Sequence, residues 1–203
     1  DEFIRNNILT LFFAGHETTA NTLTWAFYYL NQNPDVLAKL QQEVDTVLAG
    51  RTPTLADLPN LPYTMMVIKE TMRIEPTVAA FPRFVAEDTT LGDYNIKGDS
   101  VIFIPPYILH HDPRWWSNPD QYDPSRFSAE NEPNIPKYAY LPFGGGPRVC
   151  IGNHFALMEA HILLASFVSH FNLQLATDKP VKPLRQVTCS PEGGLPMRIE
   201  RRA

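Results

Sequence analysis

Long stretches in which apolar residues recur at helical spacing dominate the hydrophobic pattern of the chain. They predict four helices, over about residues 1–30, 34–50, 62–73 and 153–170. Terminating residues support these limits, since Asn33 and Pro34 form a helix start and Gly50 is a typical helix end. Large apolar side chains are spread around the whole circumference of the first helix, so we expect that helix to be buried on all sides.

Shorter apolar runs between turn residues predict extended segments in the rest of the chain. They cover residues 77–83, 89–91, 94–96, 100–104, 187–189 and 197–200, and the last two are expected to pair as a hairpin around residues 191–194. The proline-rich stretch 111–147 is interleaved with aromatic residues, which disordered segments lack, so we expect an ordered but irregular region. The predicted fold class is mainly α with small antiparallel β elements.

Composition narrows the functional class. With 203 residues, 44% hydrophobic and 19% charged, the chain is long enough for one well-buried domain. A net charge of -5 gives no electrostatic footprint for nucleic acid, so we expect no such partner. No apolar run approaches membrane-spanning length, and no signal peptide is visible. The low number of cysteines, two, fits a reducing compartment. We therefore expect a soluble, cytoplasmic protein. Because the chain begins at Asp1 rather than at a methionine, we expect a fragment.

The stretch 143–155 carries the strongest chemical signal. Its three consecutive glycines and a proline exclude regular structure and let the backbone approach a flat or bulky group closely. Cys150 stands just before a predicted helix, where unpaired N–H groups and the helix dipole stabilise a thiolate. This chemistry indicates a single thiolate ligand to a heme iron. The alternatives are a disulfide with Cys189 and a zinc site shared with His154, although no second ligand pair completes such a site.

The same stretch resembles the heme-binding signature of the cytochromes P-450, Phe-x-x-Gly-x-Arg-x-Cys-x-Gly. The signature is filled by Phe143, Gly146, Arg148, Cys150 and Gly152. The resemblance implies a cytochrome P-450 fold, of which residues 1–203 would be the C-terminal heme-binding portion of a single domain, with the N-terminal half absent. It also implies heme b (iron-protoporphyrin IX), with the thiolate of the signature cysteine as axial ligand.

The first predicted helix contains the hexapeptide 14–19, Ala-Gly-His-Glu-Thr-Thr, in which a glycine and a β-branched pair weaken the helix locally. It resembles the Ala-Gly-x-(Asp/Glu)-Thr of the oxygen-activating helix of the same family. The resemblance implies that Ala14 and Gly15 leave room for a ligand over the heme. It makes Glu17 and Thr18 the acid–alcohol pair that relays protons to dioxygen. The alternative is a threonine that bonds back to its own helix, beside a solvated glutamate.

Glu70 and Arg73 are three residues apart and therefore share a helix face. A lone pair at this spacing is usually a surface salt bridge. The pair also resembles the Glu-x-x-Arg of the family, whose third member comes from the stretch 124–127, here with Ser125 where the common form has Glu. The resemblance implies that Glu70, Arg73 and Arg126 form a buried, mutually satisfied network, a structural lock rather than a catalytic site.

The resemblance also assigns roles in the extended segments. The substrate pocket would be lined by Val78, Ala79, Phe81, Gly194 and Leu195. Arg83 would reach a heme propionate, as Arg148 would from the glycine-rich stretch, and the alternative for Arg83 is an ordinary strand-edge charge. His110 and His111 fall where many members of the family have His-Arg, and such a pair is a poor metal site without further ligands.

For the full protein, the resemblance implies a heme-thiolate monooxygenase. It would insert one atom of dioxygen into a small hydrophobic organic substrate, with electrons from a redox partner such as a ferredoxin or a flavoprotein reductase. One alternative is a heme-thiolate isomerase or dehydratase that acts on a peroxide. Others are a non-catalytic heme sensor and an inactive truncated heme protein. We expect the 203-residue chain alone to be inactive, because apolar faces meant for the missing half would be exposed.

Overall fold

A computed structural model describes residues 2–202 of the chain. Its α-helices are α1 (Glu2–Gln32), α2 (Pro34–Leu48), α3 (Pro62–Ile74), α4 (Pro106–His110) and α5 (Asn153–His170). Its strands are β1 (Phe81–Phe84), β2 (Thr89–Leu91), β3 (Tyr94–Ile96), β4 (Val101–Ile104), β5 (Phe171–Leu175), β6 (Pro183–Arg185), β7 (Cys189–Pro191) and β8 (Met197–Arg201). Short 3-10 turns cover Leu55–Asn60, Pro124–Phe127, Glu132–Asn134 and Gly146–Arg148. The fold is mainly α with small antiparallel β elements, as the sequence predicts.

Four of the helices lie where the hydrophobic pattern predicts them. α2, α3 and α5 begin at the predicted residues and end within two residues of the predicted limits. α1 extends to residue 32, and its predicted first residue, Asp1, lies outside the described residues. Asn33 occupies the N-cap position of α2 as predicted, but its side chain makes no capping bond and instead donates to the carbonyl of Tyr29 at 2.8 Å. The helix begins with Pro34 in its first turn.

The main hydrophobic core lies between α1, α2, α3 and α5, and each of these helices packs against the other three. Its central side chains are almost completely buried: Leu30, Leu40, Val44, Val67, Ile68 and Leu164. Burying a side chain of this size stabilises a protein by about 1.5–3 kcal/mol relative to leaving it in water. The core therefore fixes the relative positions of α1, α3 and α5. These helices carry or adjoin the three motifs found in the sequence.

The strands form four separate antiparallel pairs, β1 with β4, β2 with β3, β5 with β8 and β6 with β7. The predicted hairpin between residues 187–189 and 197–200 is therefore wrong. β5 continues directly from α5 and already packs against α1 and α5, so it offers β8 a partner fixed to the core. Because the pattern of a short strand indicates which face is buried and not which strand is its neighbour, the sequence does not reveal this pairing.

The two halves of α1 differ sharply in burial. In the second half, Trp25 and Leu30 are each 1% exposed. In the first half every residue from 2 to 17 is exposed, including Phe3 at 79% and Phe12 at 65%. The expectation of burial on all sides is wrong for this half, because within residues 2–202 no element covers its apolar side chains. Neither α1 nor any other helix in that range combines the length and apolarity that a membrane span needs.

The proline-rich stretch 111–147 folds into turns around a small aromatic cluster. Trp116 and Phe127 are each 3% exposed, and Tyr140 packs against them. The hydroxyl of Tyr140 donates to the carbonyl of Lys69 at 3.0 Å, which joins the cluster to α3. The expected ordered, irregular region is confirmed, and it supports one side of α3.

Candidate functional site

The loop that precedes α5, residues 143–150, is here called the Cys loop. The amide of Cys150 donates to the carbonyl of Phe143 at 3.0 Å and closes the loop. Gly144 and Gly146 adopt φ values of 71° and 70°, in the left-handed region that glycine enters without steric cost. A Cβ on Gly146 would meet no atom within 4 Å, so this part of the loop presents bare backbone. The Cys loop is a tight turn that a flat group can approach closely.

Cys150 presents its thiol to solvent at the end of the Cys loop. Gly152 occupies the N-cap position of α5, and a Cβ there would lie 4.0 Å from the Cys150 Sγ, so the sulfur lies beside the first turn of α5. Cys189 is a buried free thiol, so the alternative of a disulfide between the two cysteines is not realised. Burial and the neighbouring Glu75 carboxylate raise the pKa of Cys189 to about 12 and keep it protonated.

Strand β1 places two of the predicted residues beside the Cys loop. The ring of Phe81 lies against Gly144, where a Cβ would be 3.7 Å from the Phe81 Cζ. The guanidinium of Arg83 lies over the same ring, with its Cζ 4.8 Å from the ring centroid. The structure therefore brings a predicted pocket residue and a predicted propionate ligand together with the Cys loop, although they are far away in the sequence.

Two guanidinium groups at the Cys loop have no carboxylate partner among residues 2–202. Arg148 is exposed and makes no hydrogen bond or ion pair within that range. In the same range Arg83 donates only to the carbonyl of Pro82, at 2.9 Å. Unpaired guanidinium groups bind carboxylates, including the propionates of a heme. The donor set of this site, an exposed thiol with a bare glycine turn and two available cations, fits a heme with a cysteine ligand.

The acid–alcohol pair lies on α1 where the exposed half meets the buried half. The Thr18 hydroxyl donates to the carbonyl of Ala14 at 2.8 Å, which is the helix-internal bond of the alternative interpretation. The Glu17 side chain is exposed, yet it is not merely solvated, because the Thr188 hydroxyl donates to its Oε1 at 2.7 Å. A Cβ on Gly15 would meet nothing within 4 Å, so the space beside this turn is open. Sequence reasoning missed Thr188.

Glu70 and Arg73 form a buried ion pair in the second half of α3, and both side chains are 0% exposed. The two carboxylate oxygens accept from Arg73 Nε at 2.7 Å and from Arg73 Nη2 at 2.8 Å. Arg73 Nη1 donates to the carbonyls of His110 and Pro119, each at 2.8 Å. The fork of Arg73 therefore joins α3 to α4 and to the turns that follow it.

Arg126 lies at the edge of this pair rather than within it. Its Nε is 3.5 Å from Glu70 Oε1, and this buried nitrogen has no hydrogen-bond partner among the described residues. The backbone amide of Asp123 donates to the same carboxylate at 2.8 Å. Burial raises the pKa of Glu70, while Arg73 and this amide act in the opposite direction. The structure brings the three predicted residues of the lock together, and their structural role stays a prediction.

His110, at the end of α4, connects the buried ion pair to Leu141, just before the Cys loop. Its Nδ1 bonds the carbonyl of Arg73 at 3.2 Å, and its Nε2 accepts from the amide of Leu141 at 2.8 Å. These contacts require a neutral ring with the proton on Nδ1. Burial lowers the pKa of His110 to about 3, which agrees with that tautomer. The sequence places this histidine in a family motif and makes it a poor metal ligand, but it does not reveal the bonds to Arg73 and Leu141.

The predicted substrate-pocket residues outside β1 lie on two segments that meet next to α1. The amide of Cys189 donates to the carbonyl of Thr77 at 2.7 Å and joins these segments. Three of these residues are half-buried: Val78, Ala79 and Leu195. Gly194 is exposed and lies in a turn, with a φ of 86°. Their part in a pocket stays a prediction.

The sequence is similar to those of known proteins over almost its whole length. A family model described as Cytochrome P450 matches residues 1–196. The chain is 40% identical to the cyclooctatin synthase of Streptomyces melanosporofaciens over 188 positions, which cover 93% of this chain and 41% of that protein. It is 40% identical to the cytochrome P450 4V2 of Homo sapiens over 205 positions, which cover 99% of this chain and 39% of that protein. It is 39% identical to the cytochrome P450 3A2 of Rattus norvegicus, over 98% of this chain and 40% of that protein.

The chain therefore spans about two fifths of the length of these relatives. The family match covers the exposed acid–alcohol turn of α1, the buried ion pair of α3 and the Cys loop in one alignment. The resemblance found in the sequence is thereby confirmed, and the chain belongs to the cytochrome P450 family.

Proposed function

We propose that the protein that contains this chain is a heme-thiolate monooxygenase. It inserts one atom of dioxygen into a small hydrophobic organic substrate and takes electrons from a ferredoxin or a flavoprotein reductase. The observation that carries the proposal is the exposed Cys150 thiol at the end of a bare glycine turn. When it is bound, a thiolate-ligated heme supplies the electron density that favours O–O cleavage.

The heme-binding residues lie in and beside the Cys loop. Cys150 would bind the iron of heme b through its thiolate. Phe143, Gly146 and Gly152 would shape the site, because Gly146 leaves bare backbone and Gly152 places no Cβ beside the sulfur. Arg148 and Arg83, which lack carboxylate partners among residues 2–202, would hold the propionates. The small side chain of Ala14 would leave room for a ligand over the heme.

Glu17 and Thr18 carry protons from solvent to the reaction site. Glu17 is exposed, so its carboxylate exchanges protons with bulk water. The hydroxyl of Thr18 donates to Ala14, which leaves its oxygen free to accept a hydrogen bond from a water molecule. The two residues are adjacent on the helix and together form a short path for a proton.

The substrate side of the site is apolar. We assign Val78, Ala79, Phe81, Gly194 and Leu195 to the pocket wall, and none of them carries a charge. An apolar wall of this kind binds hydrophobic substrates through burial and not through specific polar contacts. Glu70, Arg73 and Arg126 serve as a structural lock, and His110 joins this lock to Leu141, just before the Cys loop.

We also propose that residues 1–203 form the C-terminal heme-binding portion of a single domain. The share of the relatives' length that the chain spans supports this proposal, as does the exposed apolar face of the first half of α1. A heme held on one side only would be open to water, whereas this chemistry needs water excluded. The 203-residue chain alone is therefore not a competent monooxygenase.

The experiment that tests the proposal is an isotope-labelling assay on the full-length protein. Heme-loaded protein is given a reductase, NAD(P)H, hydrophobic test substrates and ¹⁸O₂. A monooxygenase places one labelled oxygen atom in the product and releases the other as water. A peroxide isomerase or dehydratase gives a product without label and without NAD(P)H, and this result would refute the proposal.

A further inference from the structure

A threonine outside the predicted motifs contacts Glu17. The Thr188 hydroxyl lies 2.7 Å from Glu17 Oε1, across 171 positions of sequence. Because an ionised carboxylate only accepts hydrogen bonds, Thr188 donates this one. The side-chain amide of Asn21, one helical turn after Glu17, lies 3.5 Å from the same hydroxyl oxygen and donates to it. The hydroxyl is therefore oriented, since it accepts from Asn21 and donates to Glu17.

The backbone that carries Thr188 is fixed by the core. The amide of Cys189 donates to the carbonyl of Thr77 at 2.7 Å, and the carbonyl of Cys189 accepts from Trp25 Nε1 at 3.1 Å. Cys189 is 0% exposed and Trp25 is 1% exposed. The amide of Gln186 donates to the carbonyl of Thr188 at 3.1 Å and closes the turn from the other side. The position of the hydroxyl is thus set by buried groups and not by a free loop.

The carboxylate of Glu17 has no comparable support of its own. The residue is exposed and belongs to the half of α1 that nothing covers within residues 2–202. The adjacent Thr18 hydroxyl is directed to Ala14 and does not hold it. A glutamate with free rotamers loses side-chain entropy when it is fixed, so one oriented donor decides where its carboxylate points.

We infer that Thr188 is a positioning residue, which holds the Glu17 carboxylate in one orientation for proton delivery. The inference rests on the proposed function, in which Glu17 carries protons to the reaction site. Proton transfer depends on hydrogen-bond geometry, so a carboxylate that rotates away delivers protons less efficiently. Reducing equivalents then leave as peroxide instead of product.

The test compares three variants of the full-length, heme-loaded protein. In Thr188→Val the hydroxyl is replaced by a methyl group of similar size, and in Thr188→Ser the hydroxyl is kept. Thr24→Val is the matched control, because the Thr24 hydroxyl donates only to the carbonyl of Ala20 on the same helix, at 2.8 Å. Product formed per NAD(P)H, peroxide released and KM for a substrate are measured for each variant.

We expect Thr188→Val to lower the product formed per NAD(P)H about 3- to 10-fold, which is the range of an ordinary intramolecular hydrogen bond. KM stays unchanged, since the threonine does not touch the substrate. Thr188→Ser and Thr24→Val keep the wild-type ratio. Should Thr188→Val fold poorly, Thr188→Ala removes the same hydroxyl with less bulk.

A double-mutant cycle with Glu17→Ala shows whether Thr188 acts through Glu17. The double variant should form as much product per NAD(P)H as Glu17→Ala alone. In urea unfolding, the combined change in the unfolding constant should be about 2- to 5-fold smaller than the product of the single changes, as expected for contacting residues. This second readout does not depend on activity.

Each outcome has a distinct meaning. If Glu17→Ala uncouples the reaction and Thr188→Val does not, the inference on Thr188 is overturned and the proposed function stands. If Glu17→Ala itself keeps full coupling, proton delivery by Glu17 is wrong and the inference falls with it. If the effects of the two substitutions are strictly additive, both on product formed per NAD(P)H and in urea unfolding, Thr188 does not act through Glu17.

Discussion

Glu70 and Glu17 are carboxylates on two helices of the same core, and their surroundings are opposite. Glu70 is 0% exposed and accepts hydrogen bonds from two nitrogens of Arg73 and from the amide of Asp123. Glu17 is exposed, and within residues 2–202 Thr188 is its side-chain partner. A fully bonded carboxylate without contact to water cannot exchange protons, whereas an exposed one with a neutral donor can.

The comparison distinguishes buried charged residues that stabilise the fold from exposed residues that can take part in a reaction. The buried pair uses its charge to fix α3, α4 and the turns of residues 111–147 to one another. In contrast, Glu17 of the acid–alcohol turn and Cys150 of the Cys loop are exposed and belong to no ion pair within the described chain. Substitutions on the two sides should therefore fail in different ways.

The largest expected effect follows from breaking the buried pair. Glu70→Ala leaves Arg73 as an uncompensated buried charge and should destabilise the full-length protein by about 3–5 kcal/mol. Urea unfolding with heme content measured in parallel gives the result. The matched control is Glu132→Ala, whose partner Lys69 is partly exposed, and it should cost at most about 1 kcal/mol. A Glu70→Ala protein with wild-type stability and full heme content would show that the pair is minor.

A smaller effect is expected from the pH dependence that His110 imparts. Its pKa is about 3 in the folded chain, below the ordinary value of 6.5, so below pH 6.5 the unfolded state binds the extra proton. Stability is therefore complete above pH 6.5 and falls as the pH decreases, by about 2 kcal/mol at pH 5. Burial also lowers the pKa of His111 and His161, and both add to the slope.

The measurement is the free energy of unfolding between pH 7 and pH 5. The variant His110→Gln, which cannot charge, should show a flatter profile than the wild type over this range. The control His154→Gln removes an exposed histidine and should keep the wild-type slope. An unchanged slope in His110→Gln would mean that the buried ring does not govern the acid response.

The smallest effect on stability is expected at the acid–alcohol turn. Thr18→Ala removes one helix-internal hydrogen bond, so folding and heme content should be unchanged within about 1 kcal/mol. The product formed per NAD(P)H should fall on the order of 10-fold, below the usual range for a lost proton donor because a water molecule can take the place of the hydroxyl. Peroxide released per NAD(P)H should rise correspondingly. Unchanged coupling would make Thr18 an ordinary helix residue.

The helices and the local motifs could be predicted because their signals are contiguous. Periodic apolar residues locate α2, α3 and α5, and the spacing of Glu70 and Arg73 places them on one helix face. The pairing of β8 with β5 could not be predicted, since a short strand pattern does not name its partner. The exposure of the first half of α1 was missed because a periodic pattern shows that a surface is apolar and not what covers it.

In the candidate functional site, too, local features could be predicted and contacts between distant residues could not. The Cys loop lies within a few residues of Cys150, so its turn could be predicted from the glycines. The contact of Thr188 with Glu17 spans 171 positions, and nothing in the sequence around Thr188 marks it as a partner of Glu17. The bond from Leu141 to His110 spans 31 positions, and it arises only when α4 is packed against the segment that precedes the Cys loop.

The central claim is that Cys150 is the thiolate ligand of a heme, and the spectrum of the reduced, carbon-monoxide-bound full-length protein tests it most directly. Wild-type protein should show the red-shifted Soret band of thiolate ligation. Cys189→Ser, which alters the buried cysteine, should keep that band, and Cys150→Ser should lose it. A Cys150→Ser protein that retained the band would contradict the account.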